Sequence, residues 1–410
     1  MARYFVIDRE MEETDPGFAE MVSLAYAQRA RVLCLCRRDR ELPLYTALRG
    51  ESHVLARWPG TGARHAPHCD HYEAPDFLTG LGELRGSAIL DSEDGGETAL
   101  RFGFPLTRGA ARAAPAALSN DKPDVKASGA RLTMRGLLHY LWDRAELTHW
   151  HPRMAGKRNW YIVRRQLLQA AHHCTARGES LARVLFVPET FRSSEKQALA
   201  QRRHGELALA EASRDAIMIV IGEVKAIEAD RYGEKILLRH LADWPLLMDA
   251  DMTRRFHKRF ALEEGLWRAA GEDGHLIMAA SFSIQQNGLP SLYEVALMPV
   301  TPEWIPYEVL EDRALVASAV AAERRFVKGL RLNLSSERPI ASLTLVDTGE
   351  DATAIHLARA LPNPAYDEAL ARLMRTQGVA HAVWRSGDAL PPPAWRGPHA
   401  GSARGSGEPN

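Results

Sequence analysis

Long apolar runs are missing from this sequence. No stretch of about 18 apolar residues occurs, so no helix is expected to span a bilayer. Cysteine is scarce, with four in 410 residues, too few and too unevenly placed for a disulfide framework. Net charge is absent as well: 52 basic residues cancel 52 acidic ones. No global field therefore draws nucleic acid or membrane, and any such partner must be met by a local patch. Common catalytic signatures fail too. There is no G-x-G-x-x-G after a strand and no Walker loop, no G-x-S-x-G elbow and no H-E-x-x-H. No repeat of solenoid period is found.

What remains is the composition of a soluble globular protein, 46% apolar and 25% charged, with a length that favours two or three domains. The opening Met-Ala-Arg-Tyr-Phe-Val-Ile-Asp turns acidic at once and lacks a signal-peptide layout. With thiols clustered and not spread as a framework, a reducing cytoplasm is the expected compartment.

Three of the four cysteines lie between Arg31 and Cys69. The segment opens with Cys34-Leu35-Cys36 and closes with His65-Ala-Pro-His68-Cys69. In a strand, residues i and i+2 point to one side, so Cys34 and Cys36 would aim two sulfurs at one point. A hairpin, Leu42 to Leu48 and His53 to Trp58 with its turn at 49–52, would return the chain to its start. That places His65 and Cys69 beside the two thiols. A closed tetrahedral zinc site of structural type is predicted, with Cys34, Cys36, His65 and Cys69 as ligands and His68 or His71 as reserves for the fourth. Cys174 stands apart, as a core residue. The same three thiols also admit plain packing as small hydrophobes or a redox pair.

The expected architecture is α+β. An N-terminal zinc-binding β-hairpin domain covers 1–107 and a linker 108–130. A helical, winged-helix-like module covers 131–179, an antiparallel α+β domain 180–310 and a C-terminal α/β unit 311–386, with a disordered tail at 387–410. In the helical module Met134, Leu137, Leu138 and Leu141 mark one apolar stripe, and Trp160, Val163 and Leu167 the next. Lys157, Arg158, Tyr161, Arg164 and Arg165 are predicted to share the opposite, exposed surface. A basic, aromatic-bearing helix suits contact with DNA or RNA; arginine and lysine equally fill ordinary solvated helix faces. A later helix, from about Asp312, is expected to carry Arg324, Arg325 and Lys328.

Several of these motifs resemble the bacterial family labelled domain of unknown function 1173. The likeness rests on Cys34-Leu-Cys36, Trp58-Pro-Gly-Thr-Gly62 leading to His65-Ala-Pro-His-Cys69, Tyr72-Glu73, Gly136-Leu-Leu-His-Tyr-Leu-Trp142 and Gly156-Lys-Arg-Asn-Trp160. It runs to near residue 385. The resemblance implies the three-cysteine site and carriage on plasmids and mobile elements; it implies no activity. The C-terminal unit is in addition similar to the core of restriction-endonuclease-like nucleases, where an acid ends the first strand. Here Asp347 is present, but the following strand, Thr353 to Arg359, offers neither Glu nor Lys. Either the fold is different or the site is a degenerate, dead version, and no phosphodiester chemistry is expected. The sequence thus reads as a zinc-stabilised, non-catalytic protein contacting DNA or a nucleoprotein partner. A metal-dependent nuclease and a protein-only scaffold are the alternatives.

Overall fold

Alternating apolar residues build the first layer. In β1 (Arg3–Val6) Tyr4 and Val6 point inward, and after β2 (Arg9–Glu12) and α1 (Phe18–Gln28) the same alternation resumes in β3 (Val32–Cys34). The hairpin β4 (Leu42–Arg49) and β5 (Ser52–Arg57) completes an antiparallel sheet in the order β2-β1-β3-β4-β5. Val22 and Ala25 of α1 are buried against it. The structure, a computed structural model, describes residues 2–49, 52–58, 60–92, 97–107, 131–212, 215–286, 288–376 and 378–394. The hairpin tip at 50–51, the whole linker 108–130 and the tail from 395 lie outside the described residues.

Among the described residues the other six helices are α2 (Met134–Arg144), α3 (Trp160–His172), α4 (Lys196–Ala212), α5 (Ala250–Ala270), α6 (Leu310–Ala321) and α7 (Pro364–Leu373). The chain is thus mixed α+β, and no helix among the described residues is long and apolar enough to cross a membrane. Both α2 and α3 start at side-chain caps, Thr133 and Asn159, which satisfy amides that the first turn leaves without partners. The face of α2 is buried almost throughout, with Leu137, Leu138, Leu141 and Trp142 in the largest core cluster.

Among the described residues there are three further sheets, two of which join segments far apart in the chain. Thr98–Leu100 pairs in parallel with Cys174–Ala176, tying the N-terminal part to the segment after α3. His149–Trp150 adds to the C-terminal sheet beside Phe326–Lys328. That sheet continues through Leu343–Leu345 and Thr353–Leu357 to Ala380–Trp384, the last two parallel and joined by α7.

The central sheet closes on itself. Met218–Asp230 is long enough to pair twice, through its first half with His275–Ile284 and through its second with Gly233–Leu238, with a register shift between Val224 and Ala226. Leu241–Asp249 follows, then Pro290–Val300, which returns to His275–Ile284. Gly222 sits where the strand changes partner, and a Cβ there would lie 2.6 Å from the end of the Leu238 side chain, which would have to move to admit a larger residue.

One helix ends sooner than its sequence suggests. α6 stops at Ala321, Glu323 takes a left-handed turn (φ 52°), and Phe326–Lys328 becomes a buried strand. Arg324 and Lys328 are therefore core ion-pair residues, not a helix surface. Arg324 meets Asp347 at 2.6 Å, and the Arg325 amide donates to the same carboxylate at 2.9 Å. Pro391 and Ala394 lie against this corner: Arg324 also donates to the Pro391 carbonyl, and the Ala394 amide donates to the Asp347 carbonyl at 2.9 Å.

Candidate metal centre

Cys34 is the last residue of β3, and Cys36 lies just past the strand in a bend. The second arm depends on glycine. Gly60 adopts φ +71°, and Gly62 must be bare because a Cβ there would lie 2.5 Å from the Glu73 side chain. The short turn Gly62–Arg64 then delivers His65, and a further turn brings Cys69 back.

The four donor atoms of Cys34, Cys36, His65 and Cys69 lie within 4.8 Å of one another and could hold a metal ion. The Sγ atoms of Cys34 and Cys69 are 3.6 Å apart. His65 Nδ1 is 3.5 Å from Cys36 Sγ and 3.7 Å from Cys69 Sγ. Tetrahedral zinc, with bonds of about 2.3 Å to sulfur and 2.0 Å to nitrogen, would space its ligands by roughly 3.8 and 3.5 Å. The spacing therefore fits such an ion. Among the described residues this is the only grouping of three or more His, Cys, Asp or Glu side chains placed so closely.

Electrostatics within the cluster point the same way. Hydrogen bonds from Cys34 and Cys69, with one from His65, push the Cys36 thiol strongly down. The other two thiols are pushed up, Cys34 by its hydrogen bond with Cys36 and by burial, Cys69 by its hydrogen bonds with Cys34 and Cys36 and by burial. A cation among the three sulfurs would favour their deprotonated forms and displace protons. Backbone amides of Ala66 and His71 donate to Cys36 and Cys69 at 3.4 Å, the kind of support thiolates receive. His65 Nε2 is buried with no hydrogen-bond partner.

The reserve histidines are not in the cluster. His68 is exposed. His71 is buried, but its Nε2 meets Tyr4 Oη at 3.3 Å, and burial pushes its pKa down to about 4. Cys174 is a core residue whose thiol donates to the Ala170 carbonyl at 3.3 Å.

Glu73 fastens this arm to the body. Arg57 bonds it directly and Arg144 stands 3.8 Å away. Burial disfavours the charge, but Arg57, with Arg144 and Arg85, holds the Glu73 pKa down at about 2. The folded value lies below the unfolded one, so the pair contributes fully above pH ~4.5 and fades as pH falls towards 2. Glu73→Gln is expected to cost about 3 kcal/mol at neutral pH and to flatten the pH dependence in that window. Urea unfolding at stepped pH measures it; parallel curves for both proteins would refute the role.

The basic group predicted around α3 is divided. Lys157, Tyr161 and Arg165 are exposed, Tyr161 by 56%, and none makes an ion pair among the described residues. Arg158 turns inward, donating to the carbonyls of Leu147 (2.9 Å), His149 and Glu303 (3.2 Å). Arg164 is also engaged, with the Val187 carbonyl at 2.9 Å and Glu206 at 3.1 Å.

A second polar site gave no local signal in the sequence. A cleft of about 440 Å³ opens between α2, α5, the start of α6 and the end of Thr353–Leu357. On its floor Lys328 Nζ lies 3.2 Å from Asp312, and the Ser342 hydroxyl donates to the other oxygen of that carboxylate.

No curated protein and no solved structure matches this chain. A family model does, over residues 4–387, nearly the whole length. The chain belongs to the family described as protein of unknown function (DUF1173).

Proposed function

We propose that this is a zinc-stabilised, non-catalytic protein that contacts nucleic acid, or a nucleoprotein partner, in the plasmid and mobile-element setting implied by the family resemblance. Zn²⁺ is the metal that best suits three thiolates and an imidazole in tetrahedral array. All four positions are filled by protein, so the ion serves the fold and not a reaction.

The observation that carries the nucleic-acid reading is the closed central sheet. Numbered within the ring, its strands run first-second-third-fifth-fourth, with α5 between the third and fourth. That is the strand order of the OB fold, a five-stranded Greek-key barrel often used to hold oligonucleotides. Its first hairpin presents Tyr232, 70% exposed, with the Arg231 guanidinium 5.2 Å from the ring centroid. Base stacking on such a ring is worth about 1–3 kcal/mol. Lys157 and Arg165 supply the free cations for phosphate. A nuclease gains nothing from Asp347, whose oxygens are held by Arg324 and the Arg325 amide.

Fluorescence anisotropy with single-stranded DNA, repeated across salt concentrations, tests this reading. Tyr232→Ala is expected to weaken binding by about tenfold or more. Lys157→Glu with Arg165→Glu is expected to lower the salt slope by about two units. Wild-type affinity in both folded variants, or no binding at low salt, would leave the protein-only scaffold as the better reading.

A further inference from the structure

The cleft beside α2 has the size of a small-molecule site, and its walls are mostly apolar, with Met298, Leu330 and Tyr366 among them. Its charges sort into pairs and remainders. Lys328 is matched by Asp312, and Arg331 by Glu308. Arg359 is matched by Glu337, outside the cleft. Arg135 and Glu263 also line the cleft, with the exposed Glu311, and none of these three makes an ion pair among the described residues. Arg135 and Glu263 thus place opposite charges, neither of them ion-paired, in one cavity.

Arg135 and His139 lie one turn apart on α2, and the backbone of 332–334 fixes both. Arg135 donates through Nε to the Leu332 carbonyl at 2.9 Å and through Nη2 to the Leu334 carbonyl at 2.6 Å. His139 Nδ1 accepts from the Leu332 amide at 3.1 Å, which puts its proton on Nε2. Burial, with Arg135 nearby, pushes the His139 pKa down to about 3, so the ring is a neutral donor. Neither Arg135 Nη1 nor His139 Nε2 has a hydrogen-bond partner among the described residues, although His139 is only 4% exposed. Two donors are thus held in place at one end of an apolar cavity.

We infer that this cleft binds a small α-amino-acid-like zwitterion with an apolar side chain. Its carboxylate would be held by Arg135 and His139, its ammonium would meet Glu263, and its side chain would pack on the apolar walls. A simple organic anion would leave Glu263 opposing it, and a simple amine would leave Arg135 unanswered. The zwitterion satisfies both.

Isothermal titration of the metal-replete full chain tests the inference apart from the zinc and nucleic-acid readings. The probes are L-phenylalanine, 3-phenylpropanoate, which lacks the amine, and phenethylamine, which lacks the carboxylate. Phenylalanine is expected to bind at one per chain, at least tenfold more tightly than either analogue, because each charged hydrogen bond is worth about a factor of ten or more. Glu263→Gln should remove the advantage over 3-phenylpropanoate without weakening 3-phenylpropanoate itself. Arg135→Gln should abolish it. Should that variant fail to fold, Ala360→Trp, at an exposed rim position, should block all three probes. No binding of phenylalanine, equal binding of the three compounds, or full affinity in Ala360→Trp would overturn the assignment.

Discussion

Cys36→Ser is expected to release the metal and to open the N-terminal sheet while the rest of the chain stays folded. The reason lies in where the ligands sit. Cys34 belongs to the small core of Tyr4, Val6, Ala25, Val32, Leu42 and Leu44, against which Cys36 and Cys69 also pack. That core contains only seven fully buried residues, too few to hold five strands and a helix without a staple. Structural zinc contributes about 10–16 kcal/mol of apparent folding energy in small metal-bound domains, and one lost thiolate removes a large part of it. Hydrogen exchange should then show lost protection in β1, β3 and β4, and limited proteolysis should cut ahead of Tyr72. Chelation of the wild-type protein should give the same pattern. Undiminished protection in metal-free protein would mean that packing alone sustains this layer.

Arg158→Ala should be the most damaging single change outside the metal centre. The side chain fills a hole lined by three backbone carbonyls, those of Leu147, His149 and Glu303, and its guanidinium lies 5.6 Å from the Trp150 ring centroid. Burial pushes its pKa down to about 10, with Glu303 acting the other way, so it is charged at neutral pH. Truncation strands several acceptors at the join between α2, α3 and the C-terminal sheet. The expected loss is roughly 3–5 kcal/mol. Lysine should recover little, since one ammonium cannot span the three carbonyls as a planar fork does. Chemical denaturation measures this, and a loss below about 1 kcal/mol would return Arg158 to the surface role read from sequence.

These two residues show what the sequence could and could not disclose. The metal cluster was legible because its ligands lie within 36 residues and a hairpin closes the gap, so local spacing was enough. Choosing His65 over His68 or His71 needed the turn geometry, which hangs on Gly60, Gly62 and the packing of Glu73. Arg158 was misplaced for a local reason. Asn159 caps α3, so Lys157 and Arg158 precede the helix, and helical spacing does not govern which way they point. Lys328 was read onto a helix because the left-handed residue at Glu323 carries no glycine to announce it. The barrel was half visible. Its hairpins were readable, but the strand Leu241–Asp249 contains Pro245, which argues against a strand in the sequence, and ring closure depends on pairings between distant segments. The cleft draws on residues from Arg135 to Tyr366, a separation that no local pattern can report.

Metal organisation of the N-terminal layer is tested most directly by X-ray absorption at the zinc edge of the purified chain. The expected result is one zinc per chain with three sulfur neighbours at about 2.3 Å and one nitrogen at about 2.0 Å. Zinc surrounded only by oxygen and nitrogen, or a fully folded wild-type protein that carries no metal, would contradict it.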